Sequence, residues 1–197
     1  MKMKSFAKYC LIGLLTIIIL GGCSRTVKRI DPSTQTDLSG RWNDTDSRLV
    51  SQQMIEGMFG NAWAIAFEQR HQKKPVIIVG LVSNKSHEHI NTETFITDLE
   101  GAIVRNGSIR LVQAGAMREE LRRERAAQQD FASPETAKRW GRELGADFML
   151  QGTVNSIVDQ YKRNKAIYYQ VSLRLSNIET NEVVWMDDKE IKKMVRN

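Results

Sequence analysis

The chain has 197 residues, with 29 Lys and Arg against 23 Asp and Glu, a formal net charge of +6 and a sequence pI near 9.4. The first 22 residues hold three of those cations and no acid, so the remaining 175 carry only +3. That is one ordinary domain with a short appendage, and the excess is too mild to make nucleic acid an expected partner.

Lys2, Lys4 and Lys8 precede an apolar run from Tyr9 to Leu20 that is interrupted only by the polar Thr16. A helix needs about 20 apolar residues to cross the ~30 Å hydrocarbon core, so this run is too short to span it. A basic start, a short apolar stretch and then Gly21 and Gly22 describe a secretory signal. Cys23 follows at once, and Leu20-Gly21-Gly22-Cys23 looks like a bacterial lipobox. Residues 1–22 are therefore expected to be removed as a signal peptide, and Cys23 to be lipidated. Glycines admit the backbone to a narrow protease site, and only a thiol accepts a diacylglyceryl group as a thioether. Each buried acyl methylene contributes about 0.8 kcal/mol, so two or three chains, palmitate-like in length, hold a protein durably. The alternative is an uncleaved N-terminal helix with an incidental cysteine. Ser24, rather than Asp, follows the cysteine, which points to the outer membrane with the domain facing the periplasm. With Cys10 discarded and Cys23 consumed by lipid, no intramolecular disulfide is possible, and stability must come from a packed core.

Residues 23–36 form the lipidated cysteine and a flexible tether: Ser24 to Thr36 is polar, aperiodic and broken by Pro32, and it reaches about 45 Å at ~3.5 Å per residue. The globular domain is expected over 37–197. Leu38 to Trp42 is expected as a short strand, and Asp44 or Asp46 can cap the helix that follows. In that helix Val50, Met54 and Met58 recur at i, i+4 and i+8, with Ile55 and Phe59 widening the stripe. "NAWAIAFEQRHQ" makes a second helical piece after Gly60.

"PVIIVGLVS", Pro75 to Ser83, reads as a central strand covered on both faces. Asn91 starts a helix with Phe95, Ile96, Leu99 and Ile103 inward and Gly107 just past its end. "SIRLVQ" supplies a second strand. "AMREELRRERAAQQ" is helical by propensity with little apolar face beyond Met117 and Leu121. Ser133 and Pro134 open a further helix, striped by Ala137, Trp140 and Leu144 and ending at Gly145. Phe148, Leu150 and Val154 then alternate along a strand. Ile167, Tyr169, Val171, Leu173 and Leu175 alternate with Tyr168, Gln170, Ser172, Arg174 and Ser176, a period of two with one face on the core. Glu179-Thr180-Asn181-Glu182 turns the chain, with Asn181 tolerating left-handed geometry, and "VVWMDDKE" returns as the last strand. The order predicts an α/β fold: a mixed sheet of about four to six strands, helices packed on one face, and a C-terminal antiparallel meander.

Candidate chemistry is sparse. His87 and His89 flank Glu88, but a catalytic zinc needs at least three protein ligands and His71 is the only other histidine, so a solvated loop is the simpler reading. An envelope hydrolase or metal protein centred on these two histidines is kept as a third reading. The phosphate loop, the dinucleotide fingerprint and the nucleophile elbow are all missing from the sequence. Asp187 and Asp188, adjacent in one strand, point to opposite faces and cannot act as an acid–base pair. No enzyme activity, no cofactor, no metal and no small-molecule substrate is expected. The charge-dense Arg118–Arg125 and the hairpin-tip Lys162, Arg163 and Lys165 read as solvated, or alternatively as docking faces for an anionic protein or wall polymer. The polar face carrying Tyr168, Gln170 and Arg174 holds residue types that interfaces favour, and these three are the candidate partner-binding residues.

"DLSGRWNDTDSRLV", "PVIIVGLVSN", "LGADFMLQGTV" and "LSNIETNEVVW" together resemble the LpoB family, outer-membrane lipoproteins that activate penicillin-binding proteins. The similarity runs from about Asp37 to about Asp188, and its elements are shared more loosely with TolB N-terminal domains and CsgG-type lipoproteins. The resemblance implies a non-catalytic regulator that docks on a bifunctional class A penicillin-binding protein, anchored to the membrane by its lipid, and regulates peptidoglycan synthesis and with it cell shape. It implies no catalytic residue to transfer. The best-known members carry a long proline-rich tether, whereas this chain has about a dozen residues before Asp37. The alternative is a subunit of an envelope assembly or secretion complex of the CsgG type. The charged "DDKEIKK" in the last strand is unsuited to a lipid-facing hairpin.

Overall fold

Asn43, rather than Asp44 or Asp46, caps the first helix, α1 (Asp44–Phe59): its side-chain oxygen accepts from the Asp46 backbone N–H at 3.0 Å. Asp46 answers by accepting from the Asn43 backbone N–H at 2.9 Å, completing a capping box. Val50, Met54, Ile55 and Met58 are buried along the predicted stripe. A second helix, α2 (Ala62–His71), sets Trp63 and Phe67 edge-on to Phe148 at 5.1 and 5.2 Å between ring centres. The apolar run then gives β1 (Val76–Lys85), followed by α3 (Thr92–Asn106), which Asn91 caps and Gly107 ends at φ +73. The expected strand after it shrinks to β2 (Arg110–Leu111), and α4 (Gly115–Phe131) follows without a buried residue. The C-terminal strands β3 (Phe148–Tyr161), β4 (Asn164–Asn177) and β5 (Val183–Arg196) are longer than the sequence pattern marks out.

The structure, a computed structural model, describes residues 26–131, 133 and 143–196. The expected signal peptide, Cys23, and the stripe residues Ala137 and Trp140 lie outside the described residues. The chain divides into a unit ending at Thr34 and a unit from Gln35 onward. In the first, the described residues 26–34 are exposed, and Asp31 Oδ1 accepts from the Ser33 N–H and hydroxyl at 2.7 and 2.6 Å. Among the described residues no helix is long and apolar enough to cross a membrane.

The second unit is the predicted α/β fold: a five-stranded mixed sheet in the order β2-β1-β3-β4-β5, with parallel β2-β1 and β1-β3 pairs and an antiparallel β3-β4-β5 meander. Helices α1, α2 and α3 bring Val50, Met54, Met58, Trp63, Phe95, Leu99 and Ile103 against Ile77, Leu150, Val154 and the alternate β4 residues Ile167 to Leu175. Val76 and Ile78 point away from that cluster and are also buried, so the first half of β1 is covered on both faces, as its unbroken apolar run implies. The β1–β3 register shifts between Val79 and Val82, a bulge that leaves Leu81 exposed and returns Val82 to the core face opposite Gly152. Asp147 fixes the start of both strands. Its carboxylate accepts from the Val76 N–H at 3.0 Å and from Lys73 Nζ at 2.8 Å.

Leu38 to Trp42 is not a strand. Leu38 is 92% exposed, and Gly40 has φ +68, a left-handed turn that breaks an extended run. The segment instead wraps around Lys193 of β5. The Lys193 ammonium donates to Asp37 Oδ1 and Asp46 Oδ2, each at 2.6 Å, and to the Arg41 carbonyl at 3.0 Å. Its side chain is only 10% exposed and that of Asp46 8%. Burial works against the Lys193 charge, but the bonds to Asp37 and Asp46 outweigh it and hold the ammonium above its usual range. One turn away, Glu88 Oε1 accepts from the Tyr169 hydroxyl at 2.5 Å and from the Trp42 N–H at 2.9 Å. Burial and this carboxylate push the Tyr169 hydroxyl well above its usual range.

Two outcomes follow from this packing. A Cβ on Gly152 would overlap Leu173 Cδ2 and the Ser172 carbonyl oxygen, so Gly152→Ala should lower stability by about 1–3 kcal/mol, read as an earlier urea midpoint at unchanged slope. Lys193→Met should cost about 3–5 kcal/mol by leaving the buried Asp46 carboxylate uncompensated. Because Lys193 and Tyr169 both have raised folded-state pKa values, their contribution is intact below the ordinary 10.5 and 10.0 and is lost as pH rises above them. The alkaline fall in unfolding free energy should be shallower in Lys193→Met.

Candidate docking face

Because β-strand side chains alternate, burying Ile167, Tyr169, Val171, Leu173 and Leu175 of β4 sends Tyr168, Gln170, Ser172 and Arg174 to the opposite face. Register then decides their neighbours. Tyr168 lies between Ile157 of β3 and Lys192 of β5; Gln170 between Asn155 and Glu190; Ser172 between Thr153 and Asp188; Arg174 between Gln151 and Met186. The three predicted residues thus share one face, with Arg174 exposed and Tyr168 and Gln170 half-buried by their neighbours. The face mixes an aromatic ring, a guanidinium, amides and the exposed side chains of Ile157 and Met186, a composition that suits a protein partner.

The Glu190 carboxylate holds the Tyr168 pKa above its ordinary value, with Asp188 adding a like-signed push. Tyr168 therefore stays protonated at neutral pH. The sequence alone did not reveal Ile157, Asn155, Glu190 or Lys192 as members of this face. The exposed alternation Met186, Asp188, Glu190, Lys192, Met194 on β5 was the available signal.

The other candidate groups are accounted for by structural contacts. His87 Nδ1 lies 2.7 Å from the Ser156 hydroxyl, which also accepts from the His87 backbone N–H at 2.9 Å, and the ring stacks on Tyr169. His89 is exposed, and His71 stacks on Phe67. Among the described residues no three His, Cys, Asp or Glu side chains gather to hold a metal ion. Asp187 pairs with Leu173 on the core side and Asp188 with Ser172 on the open side, which separates the two carboxylates as expected. On α4, Arg122 grips Glu143 through Nε and Nη2 at 2.8 and 2.9 Å, and Arg125 lies 3.6 Å from the same carboxylate. Met117 and Leu121 of that helix are exposed. At the β3–β4 turn, Lys162 takes a positive φ of 54 and its ammonium sits 5.2 Å from the Tyr161 ring centre.

A family model of the peptidoglycan-synthase activator LpoB matches residues 46–191 of this chain. Among solved structures, the LpoB C-terminal domain from Escherichia coli is 18% identical, with a TM-score of 0.47, covering 75% of this chain and 99% of that one. The corresponding domain from Salmonella enterica is 17% identical, with a TM-score of 0.43 and the same coverage. The NMR structure of E. coli LpoB is 14% identical, with a TM-score of 0.43, covering 90% of this chain and 84% of that chain. No curated protein sequence matches this chain.

The influence of Glu190 on Tyr168 is open to a direct titration. In Glu190→Gln the Tyr168 hydroxyl should titrate closer to its ordinary 10.0 than in the parent chain, followed by ring carbon NMR shifts assigned by comparison with Tyr168→Phe. An unchanged midpoint would show that Glu190 does not set the hydroxyl's affinity for its proton.

Proposed function

Since this chain belongs to the LpoB family of peptidoglycan-synthase activators, we propose that it is a lipid-anchored outer-membrane protein that binds a class A penicillin-binding protein from the periplasmic side. The family match over residues 46–191 is the observation that carries this reading. Cys23 is the attachment point, residues 23–36 are the tether, and the domain after them supplies the binding surface.

Activation without catalytic groups is a matter of coupled equilibria. The lipoprotein binds the active conformer of the synthase more tightly than the inactive one, and the ratio of the two affinities sets the gain in glycan polymerisation and cross-linking. A rigid, preformed face suits this role, because little ordering free energy is then lost on docking. The open sheet face supports that assignment. Tyr168, Gln170 and Arg174 stand on the middle strand of a fully paired antiparallel meander, so their backbone positions are fixed by ladders on both sides. Arg174 is the expected anchor, since an exposed guanidinium flanked by Gln151 and Met186 can form a forked bond to a carboxylate while its plane stacks on apolar surface.

The test mixes residues 24–197 with class A synthases of the same organism and follows binding and polymerisation rate together. Binding with a faster rate is expected, and Arg174→Glu should weaken binding by about tenfold or more while leaving the unfolding midpoint unchanged. Failure to bind any of these synthases would move the function to envelope assembly.

A further inference from the structure

The strand order leaves β5 at the edge of the sheet, with β4 on one side of it along its whole length from Val183 to Arg196. Long edges are commonly blunted by charges that repel any incoming strand. The charges of β5 have a more particular arrangement. On the open face the strand reads Met186, Asp188, Glu190, Lys192, Met194, all exposed. Turned end for end about Glu190, this series meets itself with Met186 opposite Met194, Asp188 opposite Lys192, and Glu190 opposite its own copy. We propose that a second copy of this chain adds to β5 by antiparallel pairing about Glu190, joining the two five-stranded sheets through a two-fold axis at that residue.

Three features of the strand carry this. An antiparallel two-fold pairing matches residues of equal parity, so core faces meet core faces and open faces meet open faces. The Met186 and Met194 side chains, 52% and 62% exposed in the single chain, come together at both ends of the contact. Charge and apolar contact together select one register. A shift of two residues one way sets Asp188 opposite Glu190. The shift the other way pairs Glu190 with Lys192, but it exchanges the Met–Met contacts for Met186 against Arg196 and Asp188 against Met194. The only like-charge contact in the proposed register is Glu190 with its copy. Lys193 takes no part, because Asp37 and Asp46 hold it. The pairing is independent of synthase binding, and it would place the Tyr168, Gln170 and Arg174 faces of both copies on one side of a continuous sheet.

The test uses the full chain in detergent, with Glu190→Cys as the reporter, since thiols at the two-fold axis of such a pair are close enough to oxidise to a disulfide between copies. The chain without Glu190→Cys gives the background from its own cysteines. In that reporter chain, Asp188→Lys sets lysine against lysine and Lys192→Asp sets aspartate against aspartate. Each alone should cut disulfide yield, roughly tenfold from two reversed cross-strand pairs. Mixing the two variants, one enlarged by a tag, should restore cross-linking in the band of intermediate size, because both contacts are then opposite in charge. That rescue in trans cannot come from a folding defect. The proposal is overturned if the thiol at position 190 cross-links no better than background, if the single charge variants cross-link like the reporter chain, or if the mixture stays as poor as either variant alone.

Discussion

The Lys193 ammonium sits where three parts of the chain meet: the segment entering the domain, the first turn of α1, and the edge strand β5. Its bonds to Asp37, to Asp46 and to the Arg41 carbonyl join residues about 150 positions apart in sequence. A buried ammonium without partners would be expelled toward water or lose its proton. Two carboxylates and a carbonyl make the buried position tenable, and in doing so they fix which segment covers the core at this end. Asp46 has a second duty in the capping box of α1, so helix initiation and sheet closure share one carboxylate. Trp42, delivered by the same segment, lies edge-on to Phe95 and Tyr169 and extends the core to the sheet margin.

With that end closed, the meander divides its labour by parity. The inward residues of β4 build the core, where Gly152 of β3 lets Leu173 lie close against the backbone. The outward residues are released from packing and can be chosen for recognition. In the proposed docking role, the paired strands would provide a stiff platform and the side chains standing on it the specificity. The same geometry places β5 at the margin, where its backbone is open to another strand.

Much of this was legible in the sequence. The stripes of α1 and α3, the two-sided burial of β1 and the alternation of β4 follow from periods of 3.6 and 2, which local chain geometry imposes. Asn181 at positive φ and Gly107 past α3 were readable for the same reason. Leu38–Trp42 misled because its apolar ends suggest a strand, while the Gly40 turn and the distant Lys193 decide its path. The cap of α1 fell to Asn43 because three polar residues in a row can each serve, and only the bonds of Asp46 to Lys193 and to the Asn43 N–H settle which does. That Tyr168, Gln170 and Arg174 share one face was readable because they alternate along one strand. Their neighbours Ile157, Glu190 and Lys192 were not, because cross-strand register is a property of the assembled sheet.

Apart from Leu38–Trp42, the sequence by itself determined the element types, the core faces of α1, α3 and β4, and the family, since these depend on spacing between residues close along the chain. The tertiary structure decided which buried charges are paired, where the β1 bulge falls, and which side chains stand beside Tyr168 and Arg174. Those depend on groups far apart in sequence, whose energies are realised only once water has been excluded from between them and the strands have locked in register.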